Sequence, residues 1–164
     1  MLYFLIIPVL VILFFNRKKL FSKTVVKKPL RIFKPYEYHK FELDIISLVN
    51  EYRMNVGLSS LRVKDEISSI CSEHNLDMIK YNLTSHNGFV GRSEEITNMF
   101  DAITVSENVA SGFSSAKGVV DAWIASPEHL KNIVSDATHM GLSAVLSETT
   151  NKWYFTNIFM KIKN

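Results

Sequence analysis

The stretch KWYFTNIFMKI, Lys152 to Ile162, decides the fold. Its composition is that of a strand, and it is apolar on both sides: Trp153, Phe155 and Phe159 alternate with Tyr154, Ile158, Met160 and Ile162. A strand with one wet face alternates apolar and polar residues, whereas one apolar on both sides belongs in a sheet covered on both faces. MGLSAVL (140–146) reads as a second strand, and SETTNK (147–152) between the two suits a hairpin loop. Helices must then supply both covers.

Upstream, the apolar period changes to that of helices. LDIISLVNEYRMNVG (43–57) carries Ile45, Leu48, Val49, Tyr52 and Val56 on one side and stops at Gly57. A second helix runs from a cap at Asp65 to about Tyr81, with Ile67, Ile70, Cys71 and Met78 inward. A third opens at Ser93 with Glu94 and Glu95 and carries Ile96, Met99, Phe100 and Ile103. A fourth covers 115–125 with Val120, Trp123 and Ile124. A short fifth starts in SPEHLKNI (126–133), where Ser126 can cap and Pro127 fits the first helical position. The expected class is α+β, a three-layer α–β–α sandwich around a small, mostly antiparallel sheet.

The 164 residues are 47% hydrophobic and 21% charged, enough to bury a core. Cys71 is the single cysteine, so no internal disulfide forms, and no CxxC or Cys/His zinc-finger spacing occurs. The net charge of +3 is unevenly spread. Residues 16–40 hold nine Lys/Arg against Glu37 alone, net +8, and residues 41–164 hold ten Lys/Arg against fifteen acids, net −5. A mildly acidic folded part argues against a nucleic-acid partner.

MLYFLIIPVLVILFF (1–15) contains no charge. As a helix it would cover roughly 22 Å, short of the ~30 Å hydrocarbon core, and Asn16 with snorkelling Arg17, Lys18 and Lys19 extends it. No Lys or Arg precedes the run and no A-x-A-like site follows it, so residues 1–16 are expected to be an uncleaved single-pass transmembrane helix. Residues 17–40, with Pro29 and Pro35, read as a basic, solvated linker near anionic lipid, and 41–164 as the folded domain. The positive-inside rule puts that domain in the cytoplasm.

Five histidines are present. His39 falls in the linker, His74 on the apolar stripe of the second helix as a core histidine, and His139 in the turn before MGLSAVL. His86 lies in TSHNGF, where Asn87-Gly88 marks a turn. His129 lies in the first turn of the fifth helix, where the macrodipole disfavours the imidazolium and adjacent Glu128 partly cancels that effect. Glu107 is a lone carboxylate among small residues in VSENVASG (105–112), read as a loop before the fourth helix. Two imidazoles and one carboxylate from three loops would form a set known to hold zinc with an open position. No serine-hydrolase elbow, P-loop or dinucleotide fingerprint occurs.

Taken in order, LVNEYRMNVGLSSL (48–61), CSEHNLDM (71–78), TSHNGFVGR (84–92), SENVASG (106–112), VVDAWIASPEHLKNI (119–133), THMGLSAV (138–145) and KWYFTNIF (152–159) resemble the CAP superfamily of cysteine-rich secretory, antigen 5 and pathogenesis-related proteins, in its bacterial SCP-like branch. The resemblance implies an α–β–α sandwich and a cleft lined by two histidines and acidic residues, holding a divalent metal in some members. By position, His86 matches the first histidine, Glu107 the glutamate and His129 the second histidine. Two departures stand out. The glycine before the glutamate is Ser106, and the second carboxylate of animal and plant members falls at Ser126. The resemblance also implies an extracytoplasmic domain, against the charge rule.

Three functions are expected in competition. The first is a membrane-anchored binding module whose cleft (His86, Glu107, His129, Ser126) takes a lipid, a peptide or a cell-envelope component, with zinc or another divalent cation on His86 and His129. The second is a metal-dependent hydrolase using the same cleft with Glu107 as base. The third is a structural envelope protein in which the cluster only holds loops.

Overall fold

A computed structural model describes residues 11–13 and 31–163. The elements run β1 (Val11–Leu13), α1 (Lys40–Asn55), β2 (Arg62–Val63), α2 (Asp65–Tyr81), α3 (Phe89–Phe100), β3 (Ala102–Ser111), α4 (Ala116–Ala125), α5 (Pro127–Ile133), β4 (His139–Ser147) and β5 (Lys152–Ile162). The strands form one sheet in the order β1-β3-β5-β4-β2. Every pairing is antiparallel except that of β2 with β4.

β5 is the covered inner strand that its composition requires. Phe155 and Phe159 pack with Met140, Leu142, Ala144 and Ala110 under Ile45, Val49, Val120, Trp123 and Ile133 from α1, α4 and α5. On the other face Ile158 and Met160 pack with Val105 under Ile67, Ile70, Cys71, Phe89 and Ile96 from α2 and α3. Alternation along one strand therefore feeds two cores, which makes the three layers. The β4–β5 hairpin turns where expected, with Asn151 in the left-handed region at φ 51°.

Three helices differ from the reading at their starts, and α1 begins at Lys40, ahead of the expected Leu43 and inside the expected linker. α3 begins at Phe89, not at Ser93. Gly88, at φ 76°, ends the preceding turn, Phe89 is buried as an anchor, and the Ser93 hydroxyl bonds back to the Val90 carbonyl at 2.8 Å instead of capping. α2 begins at Asp65 itself, whose carboxylate accepts the Tyr38 hydroxyl at 3.1 Å. The larger correction is β3. The segment read as a loop around Glu107 is a ten-residue strand, and Ile103, assigned to the third helix, lies in it. Its polar residues are buried against partners, which hides the strand from a pattern search.

The anchor expected over 1–16 lies outside the described residues apart from Val11–Leu13, which are a strand on the edge of β3 and not part of a helix. A β-branched pair such as Val11-Ile12 favours extended backbone, and the outer edge of β3 offers unpaired backbone groups. No helix among the described residues is long and apolar enough to cross a membrane. Residues 17–30 of the expected linker also fall outside the described set.

Residues 31–39 are not the solvated spacer expected. Tyr36 donates its hydroxyl to Glu42 at 2.7 Å and lies 2.8 Å from the Ser143 hydroxyl, and the Tyr38 hydroxyl reaches Ser68 at 2.8 Å. Phe33 packs on the α2–α3 core, and Arg31 pairs with Glu73 and Glu95. His39 sits at the start of α1 with Nε2 3.1 Å from the Ala144 carbonyl. The docking gives buried Glu42 its partners: the backbone N–H groups of His39 and Ala144 also donate to it.

Candidate functional site

Side chains alternate along β3, and Glu107 points to the α2–α3 side while Asn108 points to the α5 side. The Glu107 carboxylate has 0% exposure. A carboxylate so placed must be paired to stay charged. Its partner is Arg92, one helical turn into α3, whose side chain is 12% exposed. Arg92 Nε donates to Oε2 at 2.9 Å, and Nη2 lies 2.8 Å from both Oε1 and Oε2. His86 Nδ1 lies 2.8 Å from Oε1, and since an ionised carboxylate only accepts, Nδ1 carries the proton. Four contacts thus occupy the four or so acceptor sites of the carboxylate.

The same cluster fixes the segment in front of it. Arg92 Nη1 donates to the Asn87 carbonyl at 2.7 Å. His74 Nε2–H donates to the Ser85 carbonyl at 2.7 Å and stands 4.0 Å from Glu107 Oε1. Thr84 and Ser111 share a hydroxyl–hydroxyl bond of 2.7 Å. Burial is the main reason the His74 imidazolium is disfavoured, and Arg92 adds to it, while Glu107 opposes. His74 is therefore neutral, with the proton on Nε2. Between α2 and this segment lies a cavity of about 240 Å³, lined by His74, Met78, Tyr81 and Leu83 together with Asp77, Ser85, Asn87 and Gly88.

Of the residues expected to converge, His86 and Glu107 meet directly. His129 is buried in the first turn of α5, as its spacing implied, and its Nδ1 lies 2.7 Å from the Ser126 hydroxyl. The position to which the resemblance assigns a second carboxylate is thus a hydroxyl on the second imidazole. The two pairs are joined through backbone and amides: Asn108 Nδ2 donates to the His129 carbonyl at 3.1 Å, and Asn132 Nδ2 donates to Asn108 Oδ1 at 2.8 Å and to the Glu107 carbonyl at 3.3 Å.

Glu107 does not fit as a ligand in the zinc arrangement that the resemblance implies. The Glu107 oxygens are held by a guanidinium, and the nitrogen that His86 turns toward them carries a proton. His86 Nε2 is buried with no hydrogen-bond partner among the described residues, on the far side of the ring from the carboxylate. Among the described residues, no three His, Cys, Asp or Glu side chains gather as a metal-holding group. With its acceptor sites filled, Glu107 is also poorly placed to take a proton from water.

Arg92, Asn108 and Asn132 had no role in the sequence reading. Arg92 did carry a signal: it is the sole Lys or Arg between Lys80 and Lys117, in a segment holding one isolated carboxylate of strand-like context. His74, read as a core histidine, is one, and it also lines the cavity.

A family model described as "CAP: Cysteine-rich secretory protein family" matches residues 46–159. The chain belongs to the CAP family. It is 29% identical over 122 residues to the uncharacterized protein YkwD of Bacillus subtilis, covering 69% of this chain and 46% of that one. It is 28% identical over 126 residues to the uncharacterized membrane protein YlbC of the same organism, covering 73% and 34%. The chain thus spans less than half the length of these curated relatives. Among solved structures, an outer surface protein of Borrelia burgdorferi aligns with a TM-score of 0.65 at 22% identity, over 78% of this CAP chain and 99% of that chain. An extracellular SCP-domain protein of Bacillus anthracis aligns with a TM-score of 0.63 at 22% identity, over 73% and 40%. These two likenesses speak for the CAP fold.

Proposed function

We propose that this CAP protein is a membrane-tethered binding module, and that its ligand enters the cavity between α2 and residues 83–88. The observation that carries the reading is the coupling of cavity to cluster. Ser85, Asn87 and Gly88 line the cavity, and the first two are pinned by His74 and Arg92. A ligand site needs a pre-formed wall with a few fixed polar groups among apolar ones. Met78, Tyr81 and Leu83 supply the apolar part, and Asp77, Ser85 and Asn87 the polar part. The volume suits a single side chain, an amide or a short acyl segment, so the occupant is a part of a larger lipid, peptide or envelope molecule.

Tethering is supported by the uncharged run 1–15 and by the membrane protein among the relatives. Binding is favoured over hydrolysis because the buried carboxylate is committed to Arg92. Amide chemical-shift mapping of the full chain in nanodiscs tests this reading, with a blocked tripeptide, a short-chain lysophospholipid and a muropeptide as probes. Saturable shifts confined to residues 74–88 for one probe, lost in Leu83→Trp, are expected. Shifts spread over the surface, or none with any probe, refute it.

A further inference from the structure

We infer that Arg92 is the resident cation of the buried cluster and closes it to divalent metal ions. Three geometric facts carry this, independently of what the cavity binds. First, Arg92 spans both oxygens of Glu107 with Nε and Nη2 at 2.8–2.9 Å. A zinc ion on either oxygen would sit roughly 2.0–2.2 Å away, inside the space of the guanidinium hydrogens and against its charge. Second, the charge of the carboxylate is already met by one guanidinium, and His74, disfavoured as an imidazolium chiefly by burial, adds none. A buried divalent ion would leave an uncompensated excess, which a low-dielectric site penalises heavily.

Third, no nitrogen lone pair converges on the carboxylate. His86 presents Nδ1–H to Glu107, and His74 spends Nε2–H on the Ser85 carbonyl. The remaining nitrogens, His86 Nε2 and His74 Nδ1, are the far atoms of their rings and are buried away from solvent. Metal binding here would require Arg92 to withdraw and His86 to turn over. Arg92 is therefore the residue that decides specificity: with it the cluster is a scaffold, and without it Glu107 and His86 become a latent metal pair.

The test is zinc titration of the chelator-treated full chain in nanodiscs near pH 7, read by calorimetry and by the change in melting temperature. The variants are Arg92→Met, Arg92→Gln, His86→Phe and Arg92→Met/His86→Phe. The wild type should show no zinc binding that depends on His86. Arg92→Met or Arg92→Gln should gain one site at least about tenfold tighter than any in the wild type, seen as a zinc-dependent rise in melting temperature, and the double variant should lose it. Two independent Arg92 replacements guard against one that fails to fold, and the wild-type arm stands without either. Zinc binding by the wild type that disappears in His86→Phe overturns the inference, and so does a folded Arg92 variant that gains no site.

Discussion

Replacing Glu107 by glutamine removes one charge and almost no volume, so its effect reads the buried ion pair itself. In the native protein the carboxylate accepts from Nε and Nη2 of Arg92 and from Nδ1 of His86, at 2.8–2.9 Å. A carboxamide can accept through one oxygen only. Whichever way it is turned, its NH2 group faces at least one N–H at that distance, donor against donor. Arg92, with a side chain only 12% exposed, then keeps its charge without a counterion. Breaking a buried pair from one side costs about 3–5 kcal/mol, because the surviving charge is left uncompensated. For a domain of this size that lowers the melting temperature by about 10–15 °C. The double replacement Glu107→Leu/Arg92→Met removes both charges and should recover most of the loss. Urea unfolding of the wild type and the two variants measures this. A Glu107→Gln penalty below about 1 kcal/mol, or a double variant worse than the single one, would refute the pairing.

The remaining predictions concern what holds the site in place. Arg53 in α1, 2% exposed, donates to the carbonyls of Ser59, Ile133, Ser135 and Ala137 and so ties α5 to α1; Arg53→Met should cost about 3 kcal/mol by chemical denaturation and weaken the seating of His129. A Cβ on Gly141 would stand 2.5 Å from Ile67 Cβ, so Gly141→Ala should push β4 from α2 and destabilise by about 2–3 kcal/mol, with chemical-shift changes running along α2 to His74. His74 and His139 are both held neutral below their ordinary value of 6.5, chiefly by burial, with Arg92 acting on His74 and Lys64 and Arg62 on His139. Below that value the unfolded chain takes up protons that the native one refuses, so stability should fall as the pH drops from 6.5 toward each native value. The slope is at most about 1.4 kcal/mol per pH unit per group, and His74→Phe should roughly halve it.

Much of the fold was legible because its signals are local. The two-sided apolar pattern of 152–162 required helices on both faces, and the side chains assigned to its faces pack in the two cores, except Tyr154, which packs with Met78 and Val109. Pro127 at the first helical position and Gly57 past the end of α1 marked boundaries by backbone chemistry alone. β3 was missed because Glu107, Asn108 and Ser111 are buried with their side chains hydrogen-bonded, and polarity in sequence then mimics a loop. Arg92 was missed for a related reason: an ion pair fifteen residues apart leaves no periodic trace. The docking of 31–39 turns on Tyr36 and Tyr38 reaching buried carboxylate and hydroxyl groups, which a charge count of the linker cannot register.

The central claim is that the Glu107–Arg92 pair holds residues 84–88 as a fixed wall. Hydrogen exchange at the Phe89 amide, which donates to the His86 carbonyl at 3.0 Å, measures it most directly, with Arg53→Met as a variant destabilised from the far side of the molecule. In Arg92→Met this amide should exchange about a hundredfold faster than in Arg53→Met once both are referred to the amides of α1. Equal rates in the two variants would mean that the wall stands without the pair, and the account would be wrong.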